Sequence, residues 1–514
     1  MIPVLSPEQS NVWDKRSLSA GVDLATLMES AGRAVAAVLV DRYAHLLRGG
    51  VLVAAGPGNN GGDGWVVARA LHRLEIPVWV TSPGPGTGLR ERMATLARGE
   101  GVREVAPDGP WPGPGVAVDA LLGTGASGAP RPSIAALLAR LLDLEVPVVA
   151  IDGPTGIDLL TGMVHGATRA DLTVTFGGFR RGHLLARDEV GDLAVVDIGH
   201  SPPDPAWPTV VTDTDASEWL PRLKAAAHKG SRGRVVVVGG DAGMTGAIRM
   251  SARAAFASGA GLVHVVAPAE TVSALAQAEP DVQTLVQSFD QAPSPALIEL
   301  IGRADAVVIG PGLGRQAGRS KLVFEILDAA SRVVLDADAL VLLAGAAAQL
   351  RSLAAGRAFV LTPHPGEFRT LFPDLATIRE LDPWAAAAAA CDQVGSTILL
   401  KGVPTVITSP GKQTRTVVAG NPGLATGGSG DILSGVIGAA LAAGVEPDTA
   451  AALGAQVLGR AADIGARRHT ARSLRPMDVV NAFPDLWREW EVTRLARPTP
   501  RPPVLFELPR PQTT

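Results

Sequence analysis

Asp431 closes a glycine cluster, NPGLATGGSGD at 421–431, that stands just before an amphipathic helical pattern, ILSGVIGAALAAG. Gly427, Gly428 and Gly430 leave backbone N–H groups unpaired at a helix start, and such groups can hold the oxyanions of a transferring phosphoryl group. A carboxylate at that point can take the proton of a substrate hydroxyl as it attacks phosphorus; its plainer reading is a helix cap. A second run, GPGNNGGDG at 56–64, follows the apolar stretch Val51, Leu52, Val53 and precedes a helical pattern from Trp65 to Leu74. Strand, glycine turn and helix start let the backbone come close to a bound phosphate. Gly56, Gly58 and Gly61 also satisfy the dinucleotide fingerprint. Yet the next strand, Val78 to Val80, runs into Thr81 and Ser82 where a hydride-transfer site carries a ribose-binding acid. The amides Asn59 and Asn60 supply the polar content instead. Neither glycine run is followed by Lys-Ser/Thr, so no Walker A sequence occurs. His364, in HPGE, lacks the partner spacing of a zinc motif and reads equally as a turn histidine. Lys401 ends a strand, where it can pair with nucleotide phosphate or stay solvated. Asp336 and Asp338 are candidates for ordering magnesium and are left unassigned.

The elements that must position these groups alternate strand and helix. A helix over 23–40 leads in, strands follow at 51–55, 77–81, 116–119, 147–151, 172–176 and 193–197, and helices at 64–74, 88–99 and 133–143. That order predicts a mostly parallel, doubly wound α/β sheet, with ligands at the strands' carboxyl ends. Three polar turns fall there: 56–64, DALLGTGASG at 119–128 and DGPTGID at 152–158. A Pro-rich stretch, SPPDPAWP at 201–208, marks a domain boundary, and a second series begins with VVVVGG after Arg234 and closes in helices to about 490. The expected domains are 1–210, 211–490 and a Pro-rich tail, 491–514, extended or disordered from Arg497 onward. The chain has 514 residues, 46% of them hydrophobic, and a net charge of −4, which argues against bulk binding of nucleic acid or anionic membrane. One cysteine, Cys391, excludes an internal disulfide and points to a reducing cytoplasm. The N-terminus carries no targeting pattern, and no apolar stretch approaches membrane-spanning length.

The segment 421–444 resembles the ribokinase-like kinases, and more closely the carbohydrate-kinase half of the bifunctional NAD(P)H-hydrate repair enzymes. HKGSRGRVVVVGG (228–240), GPGLG (310–314), LTPHPGEF (361–368) and KGVPTVI (401–407) extend the likeness over about 220 to 490. The first half resembles the epimerase domain of the same enzymes through LMESAG (27–32), GPGNNGGDGWVVARAL (56–71), VDALLGTGASG (118–128) and IDGPTGID (151–158). The resemblance implies two three-layer α/β/α domains, a Rossmann-like doubly wound sheet followed by a ribokinase-like sheet. It implies that the C-terminal domain phosphorylates the hydroxyl of the S hydrate of NADH or NADPH, after which phosphate leaves and the dihydropyridine returns. It also implies that the N-terminal domain interconverts R and S, so that no hydrate is stranded.

Carried over by residue, the resemblance gives substrate contacts to Asn59, Asn60, Gly61, Gly62 and Asp63, and to the turn Gly123, Thr124, Gly125, Ala126, Ser127, Gly128 and Ala129. Asn60, Asp119 and Thr155 bind potassium, with Thr155 standing where serine is expected. Asp152 is the epimerase acid/base and also a substrate contact; its plainer reading is a turn-forming Asp before Gly-Pro. In the second half Ala247, Gly312, His364 and Asp431 bind the hydrate. Lys401, Gly402, Val403, Pro404, Thr405 and Gly430 hold the adenine nucleotide. The implied cofactors are potassium, magnesium and ADP or ATP, bacterial members generally using ADP and eukaryotic ones ATP. The implied partners are small molecules, with oligomeric state open and a homo-oligomer among the options. Two other readings fit part of the chain. One is a ribokinase-like small-molecule kinase with a nucleotide-binding N-terminal domain, which has no need of the NNGGDG and DGPTGID turns. The other is a non-catalytic nucleotide-binding scaffold, which has no need of Asp152 and Asp431 in intact glycine settings.

Overall fold

The computed structural model describes residues 2–166, 168–316, 318–496 and 502–512. The chain forms two compact units, passing from the first to the second at Pro208–Thr209. A segment of the tail ending at Arg510 belongs with the first.

The first unit is built on an eight-stranded sheet ordered Val504–Leu508, Asp192–Val196, Leu172–Phe176, Val148–Ile151, Val116–Ala120, Val51–Ala55, Val78–Thr81, Arg103–Glu104. Every pairing is parallel except that of Val504–Leu508 with Asp192–Val196. Val51–Ala55 and Val148–Ile151 read as unbroken apolar runs because helices bury both faces of the sheet. One core gathers Leu24–Tyr43 and Asn59–Arg73, the other Pro132–Leu142. This is the expected three-layer arrangement. Ile2–Leu5 pairs in parallel with Phe179–Arg180.

The helix expected from residue 64 begins at Asn59, so NNGGDG forms its first turns and not a loop. None of Gly56, Gly58, Gly61, Gly62 or Gly64 has left-handed backbone. They are needed for close approach: a Cβ on Gly56 would lie 1.8 Å from the Leu121 carbonyl oxygen, and one on Gly61 2.0 Å from that of Gly56. Small residues therefore let the helix start directly over the carboxyl ends of the central strands.

The second unit's strands run Gln283–Val286, Leu262–Ala267, Arg234–Val238, Ala306–Ile309, Arg332–Leu335, Ala358–Leu361, Thr397–Leu400, Thr405–Thr408, Arg415–Val417 and Thr209–Val210. Pairing is parallel up to Thr397–Leu400, then antiparallel through the next two strands. Helices Thr245–Ala257, Ser429–Ala442 and Pro447–Ser473 share one core with alternate residues of these strands. Phe483–Ala496 extends the closing helices past residue 490. The tail departs from expectation, since Val504–Leu508 is a paired strand; residues 497–501, 513 and 514 lie outside the described residues. Among the described residues no helix is long and apolar enough to cross a membrane.

Candidate active sites

In the first unit three strand ends converge. Asp119, almost fully buried in Val116–Ala120, accepts hydrogen bonds from Thr155 N (2.8 Å), Thr155 Oγ1 (2.8 Å) and Leu121 N (3.1 Å). Burial nonetheless pushes its carboxyl upward. Thr155 Oγ1 accepts from Leu122 N at 3.0 Å, and the Leu122 carbonyl accepts from Asn60 Nδ2 at 2.9 Å. The three expected cation ligands are thus linked through one turn. Asn60 Oδ1 is buried with no hydrogen-bond partner, an oxygen left over for a group outside the polypeptide. With the carboxylate and hydroxyl nearby, the donor set fits a hard cation.

Asp152 follows Val148–Ile151 with φ of +64°, a conformation rare without glycine. Its Oδ2 accepts from both N and Oγ1 of Thr124, each at 2.6 Å. Its Oδ1 lies 3.3 Å from Arg180 Nη2 but has no hydrogen-bond partner, so this oxygen is free to take a proton. Arg180 is itself pinned by Thr124 Oγ1 (2.9 Å) and the Gly178 carbonyl (3.0 Å). Burial acts to raise Asp152, but the guanidinium and the Thr124 bonds outweigh it and hold the carboxyl below its ordinary value. His183 Nδ1 accepts from Arg180 N at 3.0 Å, and burial with the Arg180 charge pushes the ring down to about 4. Asp63 is pushed well up, by burial first and then by the charges of Asp152 and Asp14.

Of the expected wrapping turn, Thr124 bonds Asp152, and a Cβ on Gly123 would sit 2.8 Å from Asp152 Oδ2 and 3.1 Å from Asn60 Cγ. Ala126 N closes the turn onto the Gly123 carbonyl, while Gly125, Ser127, Gly128 and Ala129 are exposed, as is Asn59. Gly61 and Gly62 are buried against Gly56 and Met28. Arg180 and His183 escaped the sequence reading, as did Arg90, whose buried Nε donates to the Gly56 carbonyl at 3.1 Å. Nothing in FGGFRRGH signals which arginine turns inward.

In the second unit Asp431 is the third residue of Ser429–Ala442, inside the helix and not ahead of it, because Gly428 takes the left-handed capping conformation (φ +104°). Burial raises Asp431 to about 7; the Asp336, Asp338 and Glu367 carboxyls add to the rise and Lys401 opposes it. Asp336, just past Arg332–Leu335, accepts from Lys401 Nζ at 2.6 Å and Thr362 Oγ1 at 2.8 Å. A Cβ on Gly430 would stand 3.1 Å from that same Nζ, so glycine there lets the lysine reach the helix start. His364 caps Pro365–Leu371: its Nδ1 accepts from Gly366 N (2.9 Å) and Glu367 N (3.3 Å), while Glu367 accepts from His364 N (2.8 Å). His364 thus sits in a satisfied turn at the helix start, and its half-exposed ring also lies 3.2 Å from the Glu367 carboxyl.

Gly312 has φ of +60°, and a Cβ on it would lie 3.3 Å from that of Ala247, so these two expected contacts are neighbours. Asp338 accepts from Gly314 N (2.9 Å) and Arg315 Nε (2.6 Å), tying the GPGLG turn to the carboxylate cluster. Gly402, Val403 and Pro404 form the turn between Thr397–Leu400 and Thr405–Thr408, with Val403 exposed and Thr405 Oγ1 donating to the Gly402 carbonyl at 3.1 Å. Glu367 was not read as a site residue. The strand-end LDAD gave the only signal for Asp336.

Residues 24–182 match the family model for the YjeF-related protein N-terminus, and residues 235–485 that for NAD(P)H-hydrate dehydratase. The chain is 36% identical over 475 residues to the bifunctional NAD(P)H-hydrate repair enzyme Nnr of Escherichia coli (strain K12), covering 90% of this chain and 89% of that protein. It is 36% identical over 487 residues to the enzyme of that name from Coxiella burnetii, covering 92% and 96%. A solved ADP/ATP-dependent NAD(P)H-hydrate dehydratase from Bacillus subtilis, co-crystallised with ATP and Mg2+, is 26% identical over 54% of this chain and 97% of its own, with a TM-score of 0.47. With both halves matched in order along nearly its whole length, the chain belongs to the family of bifunctional NAD(P)H-hydrate repair enzymes.

Proposed function

We propose that the first unit interconverts the R and S hydrates of NADH and NADPH with Asp152 as acid/base, and that the second dehydrates the S hydrate with Asp431 as base, using ADP or ATP. The observation carrying this reading is that the chain holds two separate carboxylates, each at a glycine-bounded strand or helix end, each with its own electrostatic setting.

In the second unit Asp431 takes the proton of the substrate hydroxyl while that oxygen attacks the terminal phosphorus of the nucleotide, whose leaving oxygen departs with its electron pair. The new phosphate ester then loses phosphate as the C–O bond breaks, and loss of a ring proton restores the dihydropyridine. Backbone N–H groups behind Gly428 hold the transferring oxygens, Lys401 meets the phosphate chain, and the Gly312–Ala247 contact bounds the hydrate. Asp336 and Asp338 would offer carboxylate oxygens toward magnesium, whose charge would neutralise phosphate when bound. In the first unit Asp152 Oδ1 exchanges the proton, while Asn60, Asp119 and Thr155 would hold potassium, whose charge would help order the substrate diphosphate. The chain's one cysteine, Cys391, cannot form an internal disulfide, which suits a reducing cytoplasm.

The test is to incubate the protein with mixed R and S hydrates, magnesium, potassium and ADP or ATP, and to follow the return of reduced-nicotinamide absorbance. Recovery of the whole mixture supports both activities. Accumulation of a stable phosphate ester instead identifies a kinase that keeps its phosphate on the product.

A further inference from the structure

Asp192–Val196 is a wholly apolar stretch after its first residue, and Leu193, Ala194, Val195 and Val196 are completely buried. It pairs with Leu172–Phe176 on one side. On the other it would be a bare sheet edge, a row of unpaired N–H and C=O groups, were it not covered by Val504–Leu508. The cover is held at several points. Asp197 N donates to the Pro503 carbonyl at 2.8 Å, and Arg510 N to Asp192 Oδ1 at 2.8 Å. Arg42 donates to Asp192 (3.1 Å) and Glu507 (2.7 Å) together, bridging the two strands. Buried Arg187 donates to the Gly191 carbonyl at 3.1 Å and the Pro509 carbonyl at 2.8 Å.

One side chain of this segment reaches toward the chemistry. The Phe506 ring meets fully buried Phe179 edge-on, centroids 5.9 Å apart at 85°. The next residue, Arg180, carries the guanidinium facing Asp152 Oδ1 and bonded to Thr124. The peptide N–H of Arg180 also fixes His183.

We propose that Val504–Leu508, although it follows the dehydratase unit in sequence, is a working part of the epimerase site, with Phe506 a positioning residue that holds Phe179 and hence Arg180 against Asp152. The inference rests on the epimerase reading of the first unit. Its reach is selective, because the segment packs on the first unit's sheet.

The experiment compares the full chain, Phe506→Ala, Phe506→Tyr and a chain stopped after Pro498. It measures epimerisation, dehydration of pure S hydrate, and amide hydrogen exchange over 192–196. Loss of a positioning contact next to a catalytic pair is expected to lower the epimerisation kcat of Phe506→Ala about tenfold with KM and S-hydrate dehydration little changed, while Phe506→Tyr, which keeps the ring, restores it. The stopped chain is expected to lose epimerisation further and to lose exchange protection over 192–196. Epimerisation unchanged in both Phe506→Ala and the stopped chain overturns the proposal, as does an equal loss of both activities. If the full chain itself fails to epimerise, the epimerase reading fails; exchange protection lost on stopping at Pro498 then still assigns the strand to the first unit.

Discussion

Asp152 and Asp431 are the same residue type at comparable places, each just beyond a strand end or helix start lined by glycine, yet their surroundings push them in opposite directions. Asp152 is held ionised by Arg180 and by two bonds from Thr124. Asp431 is raised to about 7 by burial and a cluster of like charges, with Lys401 committed largely to Asp336. Burial acts the same way on both, so the difference lies in the partner each receives: an arginine at hand for one, other carboxylates for the other. On the proposed reading, the first site would offer a base ionised at any ordinary pH. The second would offer one that titrates near neutrality, where both taking and releasing a proton are easy.

Removing each base tests that contrast most harshly. Asp431→Asn cannot accept the hydroxyl proton, and dehydration should fall by about a thousandfold or more while epimerisation persists; a near-normal rate with pure S hydrate would reduce Asp431 to a helix cap. Asp152→Ala should lower epimerisation by about a hundredfold or more. With mixed hydrates the variant should show a fast phase that stops when S is consumed, and an unchanged progress curve under slow spontaneous epimerisation would remove Asp152 from the mechanism.

The pH dependence sharpens the comparison. A base must be ionised, so kcat/KM for dehydration should be full above about 7 and fall about tenfold per pH unit below it. Epimerisation should stay level through that range, because Asp152 protonates only below the ordinary carboxylate range. Coincident acid limbs would erase the distinction. Arg180→Met should then move the epimerisation limb upward by about one unit, with Arg180→Lys intermediate because it keeps the charge and loses the fork. Smallest of all, Thr155→Ser keeps the oxygen that Asp119 and Leu122 contact and should change the potassium response by no more than about twofold. Asn60→Ala, which deletes the unpartnered oxygen, should weaken it clearly.

The sequence by itself determined the alternation of apolar strands and helices, the division near residue 208 and the clustering of polar turns at strand ends. These follow from local periodicity, from proline and from the rule that parallel sheets bury both faces. It also pointed to Asp152 and Asp431, because an acid beside glycines is visible as a string of letters. It misjudged where Asn59–Arg73 begins: glycine looks like loop until one sees that its lack of a Cβ lets a helix press against Gly56 and Ala120. Only the tertiary structure decided the charge state of each acid, because Arg180 lies 28 positions from Asp152, and Asp336 95 from Asp431, and a long-range approach leaves no periodic trace. The tail was decided in the same way. Its prolines argued for an extended or disordered end, whereas an open edge beside buried Leu193 to Val196, several hundred residues earlier in the chain, gives Val504–Leu508 the backbone partners that make it a strand.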